Sequence, residues 1–118
     1  MITEIEDYTL KFTAGSGNLV LDVGGNRFIT FQFVGTSGTI SLQGTNDGGA
    51  VLGTTAPSAA TATNFISIGG YNLTAPLTVI TSIAAAGLVR VDCQCKYIKL
   101  ASSGATVTKL LVMTGKLL

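Results

Sequence analysis

FITFQFVGTSGTISLQGTNDGG, residues 28–49, is the stretch on which the fold turns. From Phe28 to Val34, aromatic and β-branched residues alternate with polar ones. Ile29, Phe31 and Phe33 fall on one face and Thr30 and Gln32 on the other, as in a strand that buries one side. Gly35-Thr36-Ser37-Gly38 supplies the small residues of a sharp reversal, and Thr39 to Gln43 resumes the alternation with Ile40 and Leu42 pointing one way. The spacing predicts a hairpin, two strands joined by a tight turn. Asn46-Asp47-Gly48-Gly49 closes its far end, because Asn, Asp and Gly accept the positive φ angles of turns.

The same signals recur on both sides. Tyr8 to Thr13 alternates Tyr8, Leu10 and Phe12 against Thr9, Lys11 and Thr13, and Leu19 to Val23 is a second strand ending at the turn Gly24-Gly25-Asn26. Downstream, Phe65 to Ile68, Leu77 to Ile80, Leu88 to Cys95, Lys96 to Leu100 and Ala105 to Met113 read as strands; Ala50 to Asn64, with Pro57 in the middle, reads as a long surface loop with at most a short strand at Ala50 to Leu52. A loop of this length in a small domain marks a place of contact or a tolerated insertion. Eight or so short strands with Gly-rich turns and no amphipathic helix predict an all-β fold. We expect an antiparallel β-sandwich, jelly-roll-like, in preference to a closed barrel. Residues 1–7 are expected to form a polar N-terminal arm and residues 8–118 a single sandwich domain.

Composition narrows the function. Only 11% of the 118 residues are charged, 47% are hydrophobic and the net charge is +1. A surface so poor in charge, coated with Thr, Ser and Gly, is expected to be partly covered in an assembly. The seven basic residues are scattered singly, which argues against nucleic-acid binding. The start, MITEIEDYTL, lacks a basic region followed by an apolar run, so no signal peptide is expected. The apolar segments are too short and interrupted for a membrane span.

Catalytic chemistry finds little footing. The chain has no histidine, the commonest general base and a common metal ligand. Cys93-Gln94-Cys95 has no second cysteine pair to complete a tetrahedral site, so buried free thiols are expected and no metal or cofactor. Asp22, Asp47 and Asp92 are far apart in sequence; a catalytic pair of them is the least favoured reading. Of the aromatic residues, most belong to strand interiors. Tyr71, beside Gly69-Gly70, is the candidate ligand contact and keeps a carbohydrate-binding module in play.

Residues 34–49, VGTSGTISLQGTNDGG, followed by Leu88-Val89-Arg90-Val91, Tyr97-Ile98-Lys99-Leu100 and Gly104-Ala105-Thr106-Val107-Thr108, resemble the small β-sandwich domains of tailed-phage structural proteins. The resemblance spans Leu19 to Met113 and departs in lacking the tryptophan that often follows the Asp-Gly turn. It implies a virion component made in host cytoplasm: a capsid decoration or cement protein, or a tail or appendage module that binds a receptor or carbohydrate. It implies binding in place of catalysis, with the major capsid protein or tail proteins as partners. A symmetric homo-oligomer is the default expectation, with a trimer favoured by the analogy to virion parts; neither nucleic acid nor membrane is expected as partner. The candidate contacts are Ile2, Glu4, Glu6 and Asp7 of the arm and Pro57 and Asn64 of the loop.

Overall fold

The computed structural model describes residues 2–9, 17–24, 26–50, 56–73, 78–85, 87–92, 95–102 and 105–116. Among the described residues eleven strands follow in chain order: β1 Ile2–Asp7, β2 Gly17–Asp22, β3 Asn26–Val34, β4 Ile40–Thr45, β5 Ile66–Ser67, β6 Gly70–Asn72, β7 Thr78–Ile80, β8 Ser82–Ile83, β9 Gly87–Asp92, β10 Tyr97–Ser102 and β11 Lys109–Lys116. They form a six-stranded sheet in the order β1-β11-β3-β9-β6-β7 and a five-stranded sheet, β2-β10-β4-β5 with β8 also on β4. Every pairing is antiparallel.

The pairs nest. β1 lies on β11, β2 on β10, β3 on β9 and β4 on β5, the ladder of one long hairpin rolled until its two arms face each other. This is a jelly roll, with β6, β7 and β8 inserted between the fifth and ninth strands. Between the sheets lie Leu19, Val23, Ile29, Phe31, Phe33, Ile40, Leu42, Ile83, Val89, Val91, Ile98, Leu100, Leu110 and Val112, all buried. All but Val23, which follows β2, come from the inward positions of a strand, so the period of two places the core.

The stretch 28–49 behaves differently from expectation. Both its strands exist, but β3 is flanked by β11 and β9 in one sheet, and β4 by β10, β5 and β8 in the other. The turn between them is a corner that carries the chain across the sandwich, not a hairpin. Gly35 and Gly38 take φ of 65° and 84° to make it, angles at which a side chain is strained. A Cβ on Gly38 would stand 2.9 Å from the Ala105 Cα, and Ser37 bridges Thr106 just before β11. Alternation shows that each strand buries a face; it is equally satisfied when the two faces meet across a core.

A second difference concerns residues 1–7. Of the expected polar arm, Ile2–Asp7 is the strand β1, which pairs along its length with β11, from Ile2 opposite Lys116 to Asp7 opposite Leu111, and so forms one edge of the six-stranded sheet; Met1 lies outside the described residues. Polar composition misleads here because an edge strand leaves its side chains open to water. Tyr8 and Thr9 follow β1 outside any strand; the rest of the strand expected over Tyr8 to Thr13, the short strand at Ala50 to Leu52 beyond Ala50 itself, and Cys93 lie outside the described residues.

Candidate interaction face and adjoining cleft

Hydrogen-bonded registers align one residue from each strand of the six-stranded sheet into a row. Ile5 is opposite Met113, Met113 opposite Thr30, Thr30 opposite Arg90, Arg90 opposite Tyr71, and Tyr71 opposite Val79. All six point away from the core. Beside them runs a second row, Asp7, Leu111, Gln32 and Leu88, extended by Leu73, whose N–H donates to the Leu88 carbonyl at 2.8 Å. The ends of the first row stand open: Ile5 is 67% exposed and Val79 68%. Of the six large exposed apolar residues among the described ones, Ile5, Val34, Leu73, Val79 and Leu88 lie on this face, leaving only Ile66 elsewhere.

The outer face of the five-stranded sheet has the opposite chemistry. Its rows are Asn18, Ala101, Ser41, Ser82 and Val20, Lys99, Gln43, Ser67. Hydroxyls and amides dominate there. The two outer faces thus differ in chemistry, and the exposed large apolar side chains gather mainly on that of the six-stranded sheet.

At the β6–β7 end of the apolar face lies a cleft of about 390 Å³ walled by Ile68, Val79 and Val91, with Tyr71, Asp92 and Cys95 as its polar lining. The Arg90 guanidinium sits 5.2 Å from the Tyr71 ring centroid and 3.4 Å from Asp92. Burial pushes the Cys95 thiol above its ordinary pKa, outweighing a backbone hydrogen bond that lowers it. It donates to the Tyr97 carbonyl at 3.4 Å and is a protonated, poorly nucleophilic group at neutral pH.

The loop residues lie elsewhere. Tyr97 points outward from β10 yet is only 1% exposed, because the segments 46–50 and 56–64 fold over it. The chain passes so closely that a Cβ on Gly48 would meet Pro57 at 2.5 Å and the Tyr97 hydroxyl at 3.0 Å. Asp47 is the clasp: one carboxylate oxygen accepts the Gly49 N–H at 2.9 Å and the other the Asn64 amide at 2.8 Å. Those bonds hold its carboxyl below the usual range. The Asp47 carbonyl accepts Thr63 N–H at 3.1 Å, and Thr45, itself buried, donates its hydroxyl to the Thr63 carbonyl at 2.8 Å. Sequence reasoning placed Asp47 in a turn and missed this role, since its partner is 17 residues away.

The acidic residues of β1 form a third locus. Glu6 is opposite the buried Val112, so Glu6 and Glu4 face the core side at the sheet's edge while Ile5 faces out. With Tyr8 and Asp22 they line a groove of about 120 Å³ between β1 and β2. Asp22 pairs with Lys96 at 2.9 Å. Charges turned inward on an edge strand discourage another strand from adding there. Tyr71, the β1 carboxylates Glu4 and Glu6, and the Pro57 to Asn64 loop are thus three separate places, while Asp7 shares the outer face with Tyr71. Arg90, Val79 and Leu88, which complete the apolar face, were not singled out by sequence, because their relation to Tyr71 and Ile5 is one of register alone. The carboxylates Asp22, Asp47 and Asp92 each fall at a different locus. Among the described residues no group of three metal-ligating side chains comes together, and no helix is long and apolar enough to cross a membrane.

Architecture and registers define the chain as an antiparallel jelly-roll β-sandwich. It is similar along almost its whole length to a solved structure, the crystal structure of the SPBc2 prophage-derived protein YomS. The TM-score is 0.63 and the identity 15%, with 97% of this chain and 95% of that one covered. No family model and no curated protein sequence matches.

Proposed function

We propose that the protein is a non-catalytic structural component of a phage particle, of the capsid decoration or cement type, acting by stoichiometric binding. The observation that carries this reading is the contrast between its outer faces: a chain with 11% charged residues gathers five of its six large exposed apolar side chains among the described residues on one sheet, whose other residues are mixed, and sets mainly hydroxyls and amides on the other; we read the first as built to be covered. The whole-length likeness to a prophage-derived protein supports a phage origin, as do the residues 34–49. A binding role also accords with the engagement of the candidate acids: Asp22 with Lys96, Asp47 with Gly49 and Asn64, and Asp92 with Arg90. The contacts with the particle would be made by the Pro57 to Asn64 loop, clasped to Asp47, and the polar sheet beside it. Immunogold labelling of purified particles tests this. Regular label over the head is expected; label confined to the tail moves the role to an appendage, and protein found only in the soluble fraction removes the virion reading.

A second reading has one observation in its favour. The cleft at Tyr71 sets an aromatic ring and the Asp92 carboxylate against apolar walls, groups that suit the C–H faces and hydroxyls of a sugar. Saturable glycan binding abolished by Tyr71→Ala would establish it.

A further inference from the structure

We infer that the outer face of the six-stranded sheet pairs with the same face of a second copy of this chain. The inference rests on the reading that this face is built to be covered, and adds what covers it.

Three features single out a second copy. Apolar residues occupy both ends and the flank of the face, at Ile5, Val79, Leu88 and Leu73, so covering it calls for another apolar surface. Among the described side chains its charges are paired within the face: Arg90 lies 3.4 Å from Asp92, and the Lys109 charge acts on Asp7. A neutral face gives no purchase to a strongly acidic or basic partner, while two such faces meet without opposing like charges. The chain as a whole carries only +1, too little to keep copies apart.

Size agrees. Six strands at ~4.8 Å span about 29 Å, and about six residues at ~3.4 Å extend about 20 Å, giving ~600 Å² on each copy and ~1,200 Å² over both, the lower bound for a specific interface. Contact between identical faces is isologous and closes at two copies, so the assembly is a dimer and not the trimer suggested by likeness to virion parts. The polar faces and the clasped loops then point outward on opposite sides of the pair.

Sedimentation equilibrium of the purified full chain tests the pairing apart from any particle. The expected mass is twice the 12.0 kDa chain. Leu88→Glu and Val79→Glu, each at an open position of the face, should each halve the mass, and Ser82→Glu on the opposite sheet should leave it unchanged. Circular dichroism confirms that each variant is folded. A monomer, a trimer, or a dimer indifferent to both face substitutions overturns the inference, as does a dimer lost equally on Ser82→Glu. Particle labelling is unaffected by any of these results, so failure here and failure of the virion reading are seen separately.

Discussion

Arg90 and Tyr71 are cross-strand neighbours on β9 and β6, and the guanidinium lies 5.2 Å from the ring centroid. The contact joins the inserted β6–β7 hairpin to the body of the six-stranded sheet. Arg90 is exposed and Tyr71 half-buried, and a contact of this kind at the surface is worth ~0.5–1 kcal/mol. Its ion pair with Asp92 adds little at the surface. Arg90→Ala should therefore lower stability to urea by no more than about 1 kcal/mol. Hydrogen exchange should quicken in β6 and β7 ahead of β3 and β11; uniform change across the sheet would show that the contact does not anchor the hairpin.

Tyr97 and Tyr71 should respond in opposite ways to truncation. Tyr97 is sealed beneath the loop, so Tyr97→Ala is expected to lose ~3–5 kcal/mol, as large buried aromatic residues do. Tyr71→Ala, at a half-buried position, should lose far less. Equilibrium unfolding of the two variants decides it; equal losses would mean that the loop does not cover Tyr97 in solution.

Asn64 holds φ of 57° and donates to Asp47. Asn64→Gly keeps the backbone angle and removes only the bond, whereas Asn64→Ala loses both and should be less stable than Asn64→Gly by ~1 kcal/mol. The clasp also titrates. The Asp47 carboxyl is held low by the Gly49 N–H and the Asn64 amide, so its contribution is complete above the ordinary aspartate value and fades as pH falls through the lowered one. The protection factor of the Thr63 amide, its exchange rate relative to that of an unstructured amide at the same pH, should be high at neutral pH and fall in acid, and Asp47→Asn should flatten that dependence.

Tyr8 carries the reverse sign. Burial, and then the hydrogen bond to Glu6 and its charge, push the phenol up to about 12. A raised value means that the stabilisation is present below the unfolded value near 10 and is lost as pH rises through the folded one. Ultraviolet titration should show one tyrosine ionising near 12, falling part of the way back in Glu6→Gln because the burial remains. A Tyr8 that ionises at the ordinary value in the native chain would mean that the turn after β1 does not pack as described.

At the corner between β3 and β4, Gly38→Ala should destabilise by ~1–3 kcal/mol, since the new Cβ meets Ala105 at a positive φ. Thr39→Ala, exposed and next in the chain, should be nearly neutral. Denaturant midpoints of the pair measure the corner directly.

Alternation along the chain determined most of the strands and, with them, the core. Ile29, Phe31, Phe33, Ile40, Leu42, Val89, Val91, Ile98 and Leu100 are apolar at every second position and are buried together. The glycines at 35 and 38 likewise marked a reversal. What alternation cannot express is the partner of a strand. A period of two reports that one face is buried, whether the neighbour lies alongside or across the core, so β3 and β4 read as a hairpin and fold as opposite walls. The edge strand β1 escaped for a related reason: at an edge, Glu4 and Glu6 can face the core side and still reach water, so no apolar signal is required. The face from Ile5 to Val79 belongs wholly to tertiary structure. Its residues are separated by up to 108 positions, the closest of them being Tyr71 and Val79, and only the hydrogen-bonded registers of six strands set them in a row.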